Sequence, residues 1–220
     1  MGKGPSRASR VSPYKSEKNF LSFSAATFTV NSLQGTRTHP KVLSLIFVTP
    51  SNECGVTPIE VWGGSSSKRT EWLPSPVNLV VIQHTVTSEC MTDEECFRSL
   101  RAIRANQQST GYTDIGISFL IGGNGKVYEG SGWRVGAHTA GYNNRAIAIS
   151  FMGDFRYKLP TPRALIAAQE FIVCGMHKKW LGFSYKLVGH QQLIATLSPG
   201  AELQRVIETW PHWVSDVRGL

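Results

Sequence analysis

The sequence predicts an α/β fold: a single domain with a central mixed β-sheet flanked by three helices. Three observations predict it. Short runs rich in Val, Ile, Leu and Phe recur between residues 79 and 188, each of strand length. Two longer stretches between them carry apolar residues at helical spacing behind capping signals. A third helical stretch closes the chain, and no internal repeat interrupts the order.

The elements follow in turn. Leu79-Val80-Val81-Ile82 is a continuous apolar run, as expected of a strand buried on both faces. Thr92 and Glu95 form a capping box, with Asp93 and Glu94 in the first turn of a helix that places Phe97, Leu100 and Ile103 on one side. Ile117-Ser118-Phe119-Leu120-Ile121 reads as a strand. Asn124-Gly125 reads as a hairpin turn returning through Lys126-Val127-Tyr128-Glu129. Ala146 to Phe151 is a further strand. Thr161-Pro162 opens a helix that carries Leu165, Ala168, Ile172 and Val173 inward, with Gly175 placed to end it. Lys186-Leu187-Val188 is the last strand. Ser198 caps a final helix through Leu203, Val206 and Ile207, stopped at Pro211.

Composition bounds the class. The chain has 220 residues, 41% hydrophobic and 17% charged, which is globular rather than disordered. The net charge is +8, but Lys and Arg are scattered without interleaved aromatics, so no nucleic acid is expected as a partner. No apolar run is long enough for a membrane span. Residues 1–53 are expected to be a disordered, signal or gene-model segment, and residues 54–218 the folded domain. Within the first segment, Val42-Leu43-Ser44-Leu45-Ile46-Phe47-Val48 has the size of a signal-peptide core, though it lies far from Met1; a buried strand is the other reading. The four cysteines, Cys54, Cys90, Cys96 and Cys174, fit either two disulfides in one of three pairings or four reduced thiols.

Three of the six histidines, His84, His138 and His190, follow predicted strands or lie in the adjoining loops. Loops at strand ends are where α/β folds place their sites, so these three point to a shared cleft.

Longer patterns carry a resemblance. Val80-Val81-Ile82-Gln83-His84-Thr85, Tyr112-Thr113-Asp114-Ile115-Gly116, and Glu129-Gly130-Ser131-Gly132-Trp133 with Gly136-Ala137-His138-Thr139 resemble the peptidoglycan recognition protein family. Ile149 to Phe155, Gly189-His190, Ser198-Pro199-Gly200 and Trp210-Pro211-His212-Trp213 extend the resemblance over about residues 54–216. The family comprises zinc amidases, similar to phage lysozymes that cut the bond between muramic acid and the stem peptide, and non-catalytic receptors. The amidase zinc is held by a His at the end of the first strand, a second His late in the chain and a Cys eight residues later, with a Tyr assisting. Two imidazoles and a thiolate leave a fourth position for water.

Carried over residue by residue, the first ligand position is Gln83, the tyrosine position is Ile117 and the cysteine position is Ser198; only His190 remains. An amide oxygen and a hydroxyl are poor substitutes for imidazole and thiolate. The resemblance therefore implies a non-catalytic, secreted pattern-recognition protein with no zinc cofactor. Its partners would be bacterial peptidoglycan or muropeptides and an immune co-receptor or protease-cascade protein. The alternative is a zinc-dependent N-acetylmuramoyl-L-alanine amidase with a rearranged site built on His84 and His190, although strand alternation sends Gln83 and His84 to opposite faces. By position, the binding residues would be His84, Thr85, Gln107, Trp133, Arg134, His138, Tyr142, Asn143, Asn144, Arg145 and His190. Arg145 falls one place beyond the arginine with which family members read diaminopimelate, Asn144 taking that place, which leans the expected ligand toward lysine-type peptidoglycan. The resemblance also pairs Cys90 with Cys96 and Cys54 with Cys174.

Overall fold

The computed structural model describes residues 54–65 and 69–220. The expectations for residues 1–53, the Val42–Val48 run included, lie outside the described residues. The elements in chain order are β1 (Val56–Thr57), β2 (Val77–His84), α1 (Asp93–Ser109), β3 (Phe119–Ile121), β4 (Val127–Glu129), β5 (Ile147–Phe151), α2 (Pro162–His177), β6 (Leu181–Gly189) and α3 (Ala201–Ile207). They build one six-stranded sheet in the order β1-β4-β3-β5-β2-β6. Only β3 and β4 pair antiparallel, so the sheet is mixed, as expected.

Side-chain alternation divides each strand between two cores. Val80 and Ile82 of β2, Phe119 and Ile121 of β3, and Ile147 and Ile149 of β5 face one side. There they meet Ala164, Ala168 and Phe171 of α2 and Leu203 and Ile207 of α3. Phe119 and Phe171 lie 4.5 Å apart between ring centroids. Their intervening neighbours face the other side. Leu120, Tyr128 and Ala148 pack with Cys96 and Leu100 of α1. Leu79, Val81 and Val188 pack with Tyr142, Val214, Val217 and Leu220. A strand buried on both faces needs the continuous apolar run that β2 carries.

The α1 cap forms as the sequence indicates. The Glu95 amide donates to Thr92 Oγ1 at 3.3 Å and the Thr92 amide donates to Glu95 Oε2 at 3.2 Å. The disulfide Cys90–Cys96 closes the loop entering this helix. Cys54–Cys174 ties the segment before β1 to α2.

Several boundaries differ from expectation. β1 was not legible, being two residues long. Ile117 and Ser118 precede β3 rather than joining it, because their carbonyls turn to receive the amides of Ser131, Gly130 and Gly132. The β3–β4 connection is a five-residue loop, Gly122 to Lys126, with Gly125 at φ +80°, and not a two-residue Asn-Gly turn. α2 continues through Gly175 to His177. That glycine permits close approach rather than a stop: a Cβ there would sit 3.2 Å from Leu181 Cδ1. Val173 is half exposed instead of core. β6 begins at Leu181, five residues before Lys186. α3 is capped by Gly200, so Ser198 is not its N-cap. No helix among the described residues is long and apolar enough to cross a membrane.

Candidate functional site

Parallel pairing brings the C-terminal ends of β2, β5 and β6 to one edge of the sheet, where α/β folds place ligands. Gln83 and His84 end β2. His190 opens a short 3-10 turn directly after β6. His138 and Thr139 arrive from the loop between β4 and β5, and Ser198 from the loop before α3.

Alternation separates the first two side chains, as expected. Gln83 lies on the face of Val81, and its Nε2 donates to Thr139 Oγ1 at 2.9 Å and to the His138 carbonyl at 3.2 Å. His84 turns the other way, where its Nδ1 accepts the Phe155 amide at 3.1 Å. With Nδ1 accepting, the neutral ring carries its proton on Nε2. Ser198 Oγ accepts the His84 amide at 3.1 Å. The hydroxyl thus serves a buried strand-end amide, which explains the serine in place of the helix-capping role. The Asn143 side chain receives the amides of His138 and Thr139, both at 2.8 Å, and fixes their loop.

Burial governs the electrostatics. It pushes the His138 and His190 imidazoles down to about 4 and lowers His84 as well, Asp154 partly opposing the last shift. Asp154 is itself held at about 2, chiefly by its hydrogen bonds from Arg156. Nε2 of His138 and Nε2 of His190 are buried without a hydrogen bond of good geometry among the described residues, while backbone contacts of the His138 ring with Ala146 and of the His190 ring with His138 partly oppose the burial shift.

These shifts predict a pH dependence. An unfolded histidine titrates near 6.5, so between about 6.5 and 4 the unfolded chain binds protons that the native His138 and His190 refuse. Their contribution to stability is complete above pH 6.5 and declines as pH falls toward 4. The thermal midpoint is expected to drop steadily across that window; a flat midpoint from pH 7 to 4.5 contradicts it.

Two clefts meet at His84. One, of about 270 Å³, is lined by Gln83, His84, His190 and Ser198 with Val86 and Leu197. The other, of about 510 Å³, runs between the loop after β2 and α1, past Thr85, Asn106, Gln107, Ile103 and Ile117. Gln107 Oε1 accepts the Gly116 amide at 2.8 Å, tying α1 to the loop before β3. Ile117 gives this cleft an apolar floor.

Of the expected binding residues, His84, Thr85, Gln107 and His190 line the two clefts, with His138 and Asn143 adjoining through Gln83 and Thr139. The structure does not bring the others to the two clefts. Trp133 is a core side chain, stacked among Phe119, Phe171 and Trp180. Arg134 lies over the Trp72 ring at 4.5 Å, away from the clefts. Arg145 lies over Tyr142 at 4.7 Å and lines a separate cavity with Leu79, Lys186 and Leu220. Tyr142 packs against the Leu79 and Val81 cluster, and Asn144 is exposed in the same loop. Sequence reasoning missed Asn106, Ile103, Val86 and Leu197. Ser99, Ala102, Ile103 and Asn106 follow three- and four-residue spacing, so the cleft-facing stripe of α1 was present as a pattern.

Residues 73–201 match the family model described as N-acetylmuramoyl-L-alanine amidase. A peptidoglycan recognition protein of Trichoplusia ni is 46% identical over 177 residues, covering 80% of this chain and 97% of the relative. Among solved structures, Manduca sexta peptidoglycan recognition protein 1 superposes with a TM-score of 0.72 at 45% identity, covering 75% of this chain and 95% of that one. An ectodomain complex of peptidoglycan recognition proteins LCa and LCx with tracheal cytotoxin bound gives a TM-score of 0.71 at 43% identity, over 73% and 99% of the two chains. The fold and the matched span define an amidase-type domain. Within that class, the chain belongs to the peptidoglycan recognition protein family.

Proposed function

We propose that this protein binds bacterial peptidoglycan without hydrolysing it, and that it acts outside the cell as an innate immune sensor. One observation carries the reading. The two groups that the family resemblance sets at the amidase zinc-ligand positions are engaged in the protein's own hydrogen bonds: Gln83 with Thr139 and His138, and Ser198 with His84. His190 is left as a single imidazole. Among the described residues no three His, Cys, Asp or Glu side chains gather where a metal ion would sit. A catalytic zinc, with three protein ligands and an open position, does not fit this donor set. Ile117 removes the phenol as well.

The cleft itself supports retained binding: a concave surface with an apolar floor and a few convergent polar groups. Tracheal cytotoxin, a monomeric diaminopimelic acid-type peptidoglycan, bound to the LCa–LCx pair is a precedent for a peptidoglycan fragment as ligand and for partnership with a second recognition protein, not for the stem type. Two disulfides suit an oxidising, extracellular setting.

The ligand class follows from charge. Arg134 and Arg145 stack on aromatic rings outside the clefts, and Arg156 at the rim is paired with Asp154. The extra carboxylate of a diaminopimelate stem would lose water here without gaining a guanidinium, which is costly. Lysine-type muropeptides are expected to bind roughly tenfold tighter, about 1.4 kcal/mol. Calorimetric titration with purified lysine-type and diaminopimelate-type muropeptides checks this. Equal or reversed affinities contradict the ligand class, and no binding to either contradicts the function.

A further inference from the structure

A separate cavity lies at the far end of the same strands. The two clefts at His84 adjoin the last residues of β2; this cavity, of about 360 Å³, adjoins the first, Val77 to Leu79. Strand rise puts Leu79 roughly 17 Å from His84. The volume falls in the range of small-molecule sites, roughly 300–1,000 Å³.

The sheet itself opens the space. Between the pairs Val77↔Leu181 and Leu79↔Lys186, β2 advances by two residues while β6 advances by five. The surplus on β6 leaves the ladder as a bulge, and Ser184 within it lines the cavity. Asn78 fastens the base of the bulge. Its Nδ2 donates to the Pro76 carbonyl at 3.2 Å, and a Cβ on Gly182 would come within 2.0 Å of its Oδ1. Glycine at 182 is therefore what lets the two segments approach. Bulges of this kind end pairing and re-aim side chains, and they recur beside sites.

Alternation then sets the chemistry. Leu79 pairs with Lys186 and Val81 with Val188, so all four side chains share one face. Leu79, Val81 and Val188 are buried, while Lys186, at the end of its column, is exposed. Arg145 arrives from the loop before β5. Its guanidinium lies 4.7 Å from the centre of the Tyr142 ring, a contact that uses none of its N–H donors. No Asp or Glu lines the cavity, and among the described residues no ion pair joins Arg145 or Lys186 to a carboxylate.

We infer that this cavity binds an anionic amphiphile: one carboxylate or phosphate carried on a short aliphatic chain. Both halves of the ligand follow from the lining. Two cations without an acidic partner beside them fit an anion, and the guanidinium can grip it through two parallel hydrogen bonds. A bare anion would gain little from exposed cations in water. The apolar floor of Val77, Leu79 and Leu220 supplies the rest by covering an alkyl chain. A neutral chain would cover that floor but leave the charges unanswered.

The test is calorimetric titration of the wild-type protein with octyl phosphate, octanoate, octanol and inorganic phosphate. Octyl phosphate and octanoate are expected to bind with one-to-one stoichiometry, and octanol and inorganic phosphate at least about tenfold more weakly. Lys186→Gln and Arg145→Gln should each weaken octyl phosphate about tenfold, as for loss of one charge-assisted hydrogen bond. Lys186→Arg keeps the charge and should retain binding. Ser184→Trp fills the space and should abolish it. All four positions are exposed or at the bulge surface, so thermal midpoints should match the wild type. Wild-type protein that does not bind octyl phosphate overturns the assignment. So does octanol or inorganic phosphate binding as tightly, or undiminished affinity in both glutamine variants or in Ser184→Trp.

Discussion

Replacing Gln83→His, Ile117→Tyr and Ser198→Cys together is expected to give the protein zinc binding and zinc-dependent cleavage of peptidoglycan, neither of which the proposed function expects of the wild-type chain. The geometry is favourable to the change. His190 already presents a neutral imidazole, since burial keeps it uncharged down to about pH 4, and a neutral ring is the form that coordinates zinc. A sulfur at position 198 inherits the His84 amide as a donor, and a hydrogen-bond donor favours the thiolate. An imidazole at position 83 releases two hydrogen bonds, to Thr139 and His138, at a cost of about 1 kcal/mol each. That cost is small beside metal binding, where a complete structural zinc site is worth roughly 10 kcal/mol or more. Calorimetric zinc titration and chromatography of released muropeptides read the outcome. The triple variant should bind one zinc and release product; failure to bind zinc contradicts the assignment of positions 83 and 198, and zinc binding without release contradicts that of position 117.

The second large effect concerns stability. Removing the Cys54–Cys174 bridge by Cys54→Ser with Cys174→Ala opens a loop of 120 residues. Chain entropy assigns such a bridge about 4–5 kcal/mol, and for a domain of this size the thermal midpoint should fall by about 10 °C or more. The Cys90–Cys96 bridge closes a separation of only 6 residues and should contribute about 2 kcal/mol. Calorimetric melting of the two bridge-deleted variants under non-reducing conditions measures both. A larger loss from the short bridge than from the long one contradicts this ordering.

The fold was legible where local chemistry and burial agree. The Leu79–Ile82 run announced a two-faced strand, and Thr92 with Glu95 announced α1. What was hidden depended on tertiary partners. The edge strand β1 exists because β4 offers Val127 and Tyr128 for pairing. Gly175 reads as a helix stop, but its missing Cβ admits Leu181. Ser198 before Pro199 has the form of a cap, yet its hydroxyl is taken by the His84 amide, 114 residues away in the chain. The site divided in the same way. That His84 and His190 border one cleft was legible because strand ends are readable. Trp133, Arg134 and Arg145 lie away from the two clefts, and position in a loop does not tell which side of the sheet a side chain faces. Val86 and Leu197 gave no signal, since an exposed aliphatic acquires meaning only beside the cleft it borders.

Binding without cutting is tested most directly by incubating the purified wild-type protein with insoluble peptidoglycan and added zinc, then assaying pellet and supernatant together. The account predicts protein in the pellet and no released muropeptide, with or without zinc. Zinc-dependent release of muropeptide by the wild-type chain would contradict it.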